Sequence, residues 1–275
     1  MQSSEPIRSL QNPQVKEWAS LATKKGRERA GAYLVEGAHL VGEALRSGAD
    51  IDAVVFVPGS PAAEEARAAA PAATDRRWVA VSEQVMAKIA DTETPQGVAA
   101  VVRKRELRAD ELFRGEGDAA AGVYVAVDAI QDPGNLGTVI RSADAAGAAA
   151  VLLGAGTVDV YNPKTIRATM GSLFHVPVVA CDLETVLPLA KSRGVRVVGT
   201  SLAATDTCYD APLGGAVCFL LGNEGAGVSP RLAALADDNV IIPMRGGAES
   251  LNVAMAATVL LFEALRQREF SESLK

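Results

Sequence analysis

At 275 residues, 49% hydrophobic and 22% charged, the chain is long enough for one large domain or two ordinary ones and can bury its core without disulfide staples. No apolar run approaches the roughly 20 residues of a membrane span, and the N-terminus lacks a signal-peptide pattern, so a soluble, cytoplasmic protein is expected. The net charge of −6 does not advertise a nucleic-acid binder, but its distribution is uneven.

Residues 1–31 carry +3, from Arg8, Lys16, Lys24, Lys25, Arg27 and Arg29 against Glu5, Glu17 and Glu28. A basic arm on an acidic body could track an RNA phosphate backbone. A solvated amphipathic helix would have the same composition. Asn12 and Pro13 predict a helix start, with Asn12 as the cap, and the helix is expected to run to about Lys25.

Strand and helix patterns then alternate. A strand at Tyr33–Glu36 leads into a helix over Ala38–Arg46. A strand over Ala53–Val57, stopped by Pro58-Gly59, precedes an alanine-rich helix from about Ala62 to Ala70. A strand at Trp78–Val81, a short helix after Ser82 and a strand over Gly97–Val102 complete a small α/β domain at 32–103. Residues 104–120 are polar and glycine-containing and fit a linker.

A second α/β domain is expected over 121–275. The apolar run Val123–Val127 suits a parallel strand covered on both faces. A helix follows from about Leu136 to Ala146, and strands are predicted near 149–153, 176–179, 195–199, 217–221 and 240–242. The last helix should run from about Leu251 to Arg268. The pattern is that of a mostly parallel sheet wrapped by helices.

In such a sheet ligands bind beyond the carboxyl ends of the strands. Polar and glycine residues placed directly after apolar runs therefore mark the candidate site. Three segments qualify. The first is Asp128 to Arg141, in which Asn135 can cap the helix and Arg141 could clamp a phosphate or simply face solvent. The second is Leu220 to Ser229, whose glycines let a ligand approach the backbone and whose Glu224 is expected to point into a site. The third is Ile242 to Val253, in which Ser250 reads as the cap of the last helix.

No P-loop, nucleophile elbow or dinucleotide fingerprint is present. Cys181, Cys208 and Cys218 are odd in number with no C-x-x-C spacing, and His39 and His175 are far apart, so neither a disulfide framework nor a metal site is expected. From the residues alone the chain is a ligand-binding α/β protein with a candidate RNA arm.

Together and in this order, Asn135-Leu-Gly-Thr-Val-Ile-Arg141, Leu221-Gly-Asn-Glu-Gly-Ala-Gly227, and Ile242-Pro-Met244 with Ser250-Leu-Asn-Val253 resemble the signature motifs of the SpoU (TrmH-type) RNA methyltransferases of the SPOUT superfamily. Asn162-Pro-Lys and Gly171 to Pro177 are similar to the same family. Glu36 to Ala44 and Thr94-Pro-Gln-Gly97 resemble its ribosomal-protein-like substrate-binding domain.

The resemblance implies a methyltransferase domain with a deep trefoil knot, a homodimer, and S-adenosylmethionine as cofactor, held near Thr200, Gly222, Asn223, Ile242, Met244 and Leu251. It implies a reacting side lined by Asn135, Arg141, Glu224, Ser250 and Asn252, where a ribose 2′-hydroxyl is methylated. The front-domain pattern leans toward large-subunit ribosomal RNA. A transfer-RNA methyltransferase and a non-catalytic RNA-binding or ribosome-assembly protein of the same fold are the alternatives.

Overall fold

Asn12 accepts a hydrogen bond from the Gln14 amide and Pro13 occupies the first helical position, so α1 (Pro13–Ser20) starts where the sequence predicts. It does not continue to Lys25. The chain breaks at residues 21–23, Thr23 caps a second helix, α2 (Lys24–Ala30), and Gly31 ends it with a left-handed φ of 61°. The computed structural model describes residues 5–70, 77–113 and 122–272 of the chain, which divides into two compact units.

The first unit continues with β1 (Ala32–Glu36), α3 (Ala38–Arg46), β2 (Ile51–Phe56), α4 (Pro61–Ala68), β3 (Trp78–Ala80), α5 (Glu83–Ile89) and β4 (Val98–Arg103). All lie within a couple of residues of their expected positions. The sheet order is β1-β4-β2-β3, with β4 antiparallel to both β1 and β2 and β3 parallel to β2. Alternate residues Ala53, Val55, Ala99 and Val101 share one sheet face. Val15, Trp18 and Leu21 from the first helical stretch, with Val85, Met86 and Ile89 of α5, pack against that face.

The second unit contains β5 (Val123–Val127), α6 (Pro133–Ala145) and β6 (Ala150–Leu153). After α7 (Pro163–Thr169) come β7 (Val178–Ala180), α8 (Leu183–Ser192), β8 (Arg196–Thr200) and the short β9 (Asp206–Thr207). The chain ends with β10 (Val217–Leu221), α9 (Pro230–Ala233), β11 (Asp238–Ile241) and α10 (Val253–Glu272). The seven strands run in the order β7-β6-β5-β10-β8-β11-β9, and every pairing is parallel.

The chain moves outward from β5 through β6 to β7, returns to β8, and then places β10 between β5 and β8. The direction of winding reverses at the β5–β10 pair, which is where a parallel sheet opens a crevice for ligand. Both strands are buried at every residue, as their unbroken apolar sequences require.

Two segments pack differently from what their place in the chain suggests. By compactness, Asp159–His175 groups with the first unit. A buried ion pair is one of the contacts that hold it there. Arg27 is 3% exposed, its Nε and Nη2 donate to Asp159 Oδ2 at 3.1 and 2.7 Å, and its Nη1 donates to the Leu21 and Ala22 carbonyls. Tyr161 adds a ring contact with Tyr33, centroids 4.5 Å apart. Nor is 104–120 purely a linker. Ala109 and Phe113 are buried in the core of the second unit, with Phe113 against Tyr124, while residues 114–120 lie outside the described residues.

Candidate active site

The turn after β5 is held in an unusual shape. Ala129 has a φ of 56°, uncommon for a residue with a Cβ, and the Asn223 side chain donates to its carbonyl at 2.8 Å. Asp132, not Asn135, caps α6. Its carboxylate accepts the Asn135 backbone N–H at 2.8 Å, and Pro133 takes the first helical position. The Asn-as-cap expectation is therefore corrected, because Asp-Pro already forms the start and moves Asn135 into the first turn.

The loop after β10 closes on itself. Asn223 and Gly227 exchange backbone hydrogen bonds at 2.9 and 3.0 Å, and Asn223 Oδ1 accepts from the Gly225 and Ala226 amides. A Cβ at Gly222 would stand 2.0 Å from the Gly227 carbonyl carbon, so no larger residue fits that crossing. Asp128 ties the loop to the β5 end by accepting the Ser229 amide at 2.7 Å.

Glu224 is exposed by surface area, yet its carboxylate is fully engaged. It accepts from the Gln131 amide at 3.2 Å, the Asp132 amide at 3.1 Å and Asn135 Nδ2 at 3.0 Å. Partial burial alone would raise its pKa. The hydrogen bonds from Asn135 and from backbone amides outweigh that and hold the carboxyl below its usual range. Glu224 is thus a firmly ionised anchor.

The third segment also differs from expectation at its cap. Helix α10 begins at Val253, and Asn252 Oδ1 accepts the Ala254 and Met255 amides at 2.9 and 3.4 Å. Ser250 is exposed and lies outside the helix start, so Asn252 takes the capping role assigned to it. Asn252 Nδ2 in turn donates to Asn135 Oδ1 at 2.9 Å.

The second and third segments, with the end of β8, line a cavity of about 480 Å³, within the size range of small-molecule and cofactor pockets. Thr200, Gly222, Asn223, Ile242, Met244 and Leu251 all line it, as do Glu224, Ser250 and Asn252. Asn135 joins through its bonds to Glu224 and Asn252. Arg141 does not line the cavity. It is exposed, further along α6, and among the described residues no hydrogen bond or ion pair fixes it.

The sequence reading missed other lining residues, including Ser201 and Leu202 beyond β8 and Val253 and Ala256 on α10. Leu202 had a signal, a bulky apolar residue in a polar loop at a strand end, and it is 65% exposed. Val253 and Ala256 sit one turn apart, the spacing of a common helix face. The apolar walls from Leu221, Val240, Ile242 and Val253, with backbone exposed at Gly222, suit a ligand that has one flat apolar part and several polar groups.

Of the basic arm, Arg8, Lys16, Lys24, Lys25 and Arg29 are exposed, whereas Arg27 is committed to Asp159. Burial pushes the thiol of Cys218 up to about 12 and that of Cys181 to about 11, so neither is a thiolate at neutral pH. Among the described residues no His, Cys, Asp and Glu side chains cluster as a metal site, and no helix is long and apolar enough to cross a membrane.

Comparison with known proteins gives this arrangement a relationship. The family model of SpoU rRNA methylases matches residues 122–262, and that of the MRM3-like substrate-binding domain matches residues 12–100. The chain is 41% identical over 256 residues to the 23S rRNA (guanosine(2553)-2′-O)-methyltransferase RlmP of Bacillus subtilis, covering 93% of this chain and 97% of the relative. It is 33% identical over 267 residues to the 23S rRNA (uridine(2479)-2′-O)-methyltransferase of Streptomyces viridochromogenes, covering 94% and 91%. A solved AdoMet-bound rRNA methyltransferase from Sinorhizobium meliloti superposes with a TM-score of 0.83 at 36% identity, covering 95% of this chain and 97% of that one. With two motif segments lining one cavity, the third tied to them through Asn135, and both domains matched, the chain belongs to the SpoU rRNA methylase family.

Proposed function

We propose that this enzyme methylates a ribose 2′-hydroxyl in large-subunit ribosomal RNA, with S-adenosylmethionine as methyl donor. The observation that carries the reading is one cavity lined by the segments after β8, β10 and β11, with Asn135 from the segment after β5 bonded to two of its lining residues, Glu224 and Asn252. The two curated relatives described above, both named for 2′-O-methylation of 23S rRNA, support the substrate class.

When bound, S-adenosylmethionine supplies an electrophilic sulfonium methyl. Thr200, Gly222, Asn223, Ile242, Met244 and Leu251 are assigned to holding it, and Asn135, Glu224, Ser250 and Asn252 to the reacting side. The residues must align the hydroxyl and ease the loss of its proton. Arg141 is assigned to the phosphate beside the target ribose, where its charge favours the developing alkoxide. A guanidinium holds its proton so tightly that it serves better as a fixed cation than as the base.

Arg8, Lys16, Lys24, Lys25 and Arg29 would guide the RNA, in keeping with recognition of structured RNA by shape and phosphates. The late strand β10, inserted between β5 and β8, fits a C-terminal segment that threads the family's trefoil knot. Met255 and Phe262, exposed and seven residues apart on one side of α10, fit a homodimer contact. The place of work in this reading is the cytoplasm.

The test is calorimetric titration of the chain with S-adenosylmethionine, followed by mapping of 2′-O-methyl groups on ribosomal RNA. Saturable binding that is lost in Asn223→Trp and kept in Arg141→Ala, with a single ribose methylated, is the expected result. No binding with or without RNA would move the non-catalytic reading to the front, and a modified transfer RNA or base would replace the substrate.

A further inference from the structure

The polar groups at the reacting side form a chain of hydrogen bonds whose direction is fixed from both ends. At one end, Asn252 turns its carbonyl oxygen to the Ala254 and Met255 amides at the start of α10. Its Nδ2 must then face away, and it donates to Asn135 Oδ1 at 2.9 Å. At the other end, Glu224 accepts from the Gln131 and Asp132 amides and from Asn135 Nδ2. An ionised carboxylate can only accept. Asn135 therefore has one possible orientation, with nitrogen toward Glu224 and oxygen toward Asn252.

Each amide nitrogen carries two hydrogens, and each has used one. What Asn135 and Asn252 have left to offer is an N–H apiece, beside a cavity that Asn252 lines. The carboxylate beside them already accepts from Gln131, Asp132 and Asn135, with Asn223 Nδ2 at 3.4 Å, and hydrogen bonds hold its pKa down. The junction is thus built to stabilise negative charge on an incoming oxygen and is poorly built to remove a proton from it.

We infer that Asn135 and Asn252 form a two-donor cradle for the reacting ribose 2′-oxygen, and that Glu224 is a positioning residue that fixes the cradle's polarity and is not the base. This rests on the 2′-O-methyltransferase reading. In the step, the 2′-oxygen forms the new O–CH3 bond, the S–CH3 bond breaks with its electron pair kept on sulfur, and the hydroxyl proton leaves to water or an RNA phosphate oxygen. The two amides hold the oxygen while its charge builds, and Glu224 takes up no proton.

Single-turnover methylation of ribosomal RNA across pH 5–9 tests this with Glu224→Gln, Asn135→Asp and the double variant. Glu224→Gln brings a second amide against Asn135 and loosens its orientation. Its rate should fall by ~10²–10³-fold, the scale for losing one donor at an oxyanion. The slope of log rate against pH should stay that of the wild type, and affinities for S-adenosylmethionine and RNA should change by less than ~3-fold, about 0.6 kcal/mol. Asn135→Asp places two carboxylates together and leaves the cradle one donor short.

In the double variant the amide introduced at position 224 can donate to the carboxylate introduced at position 135, which still accepts from Asn252. Thermal stability and cofactor affinity lost in Asn135→Asp should therefore return while the rate does not. Loss of the wild-type pH dependence in Glu224→Gln would identify Glu224 as the base and overturn the inference. A double variant whose stability and affinity are no better than the two singles combined would overturn the relay. One readout does not depend on turnover. The side-chain amide NMR signals of Asn135 and Asn252 should move together when Glu224 titrates below the usual carboxylate range, and independent behaviour would refute the relay even if the wild type methylated no ribose.

Discussion

Replacing Arg27 with alanine separates a structural arginine from an RNA-binding one. Its guanidinium makes two contacts with Asp159 and two with the carbonyls of Leu21 and Ala22, at 3% exposure. Removing one partner of a buried ion pair costs about 3–5 kcal/mol, because the other is left buried and unpaired. Asp159 keeps one compensation, since its Oδ1 still accepts the Tyr161 amide at 3.0 Å. That places the expected loss near the lower end, about 3 kcal/mol. Arg27→Met with Asp159→Asn keeps apolar packing and removes both charges, so it should cost much less than Arg27→Ala alone.

The assay is urea unfolding followed by tryptophan fluorescence. Both tryptophans, Trp18 and Trp78, lie in the first unit, so the signal reports on the unit that Arg27 holds. With a slope of roughly 1–3 kcal/mol per molar urea, the midpoint should fall by about 1–3 M. An unshifted midpoint combined with RNA affinity weakened as much as by Lys24→Ala would refute the buried-clasp assignment and return Arg27 to the RNA surface.

Gly222→Ala should abolish cofactor binding and destabilise the second unit by about 1–3 kcal/mol or more, since its Cβ would collide with backbone at Gly227; titration calorimetry and thermal melting check both effects. Lys24→Ala and Lys25→Ala should leave folding unchanged and weaken RNA binding without altering the modified site, each lowering the slope of log affinity against log salt by about 1. Stability should fall on acidification. Partial burial would raise the pKa values of Glu224 and Asp237, but hydrogen bonds lower both, joined at Asp237 by the charges of Lys191 and Arg196, and at Glu263 the Arg266 hydrogen bond dominates the lowering. Groups with depressed folded pKa values stabilise at pH above their unfolded values, and that contribution disappears as pH falls through the folded ones. Melting temperatures measured from pH 7 downward should show it, and a flat profile through the acid range would contradict these assignments.

Local signals carried much of the fold. Strands β5 and β10 coincide with their apolar runs because a central parallel strand must be apolar on both faces. A capping residue followed by proline starts α1, α4, α6 and α7, through Asn12-Pro13, Ser60-Pro61, Asp132-Pro133 and Asn162-Pro163. The break between α1 and α2 was harder to read, since residues 21–23 include neither proline nor glycine. Its cause is partly local, the Thr23 cap, and partly packing. A Cβ on Gly26 would stand 1.9 Å from the Ser20 carbonyl oxygen, so the two helices meet where only glycine fits. The assignment of Asp159–His175 to the first unit was illegible, because Arg27 and Asp159 are 132 residues apart and nothing near either names the other.

At the site, part of the cavity lining followed from the family resemblance, but the chemistry did not, because it depends on which atom of each amide faces which neighbour. Both misplaced caps bear on this point. Asn135 was read as the residue that starts α6 and Ser250 as the one that starts α10, and in each case another side chain does the capping. Had Asn135 been the cap, its oxygen would be taken by helix amides and could not accept from Asn252. Because Asp132 caps in its place, both polar atoms of the Asn135 side chain are free to link Glu224 to Asn252. Asn252 does the reverse, fixing its oxygen on α10 so that only its nitrogen can turn toward the site. One asparagine released from a helix start and another committed to one give the junction a single polarity, and that polarity selects an oxygen gaining negative charge as the atom to be held there.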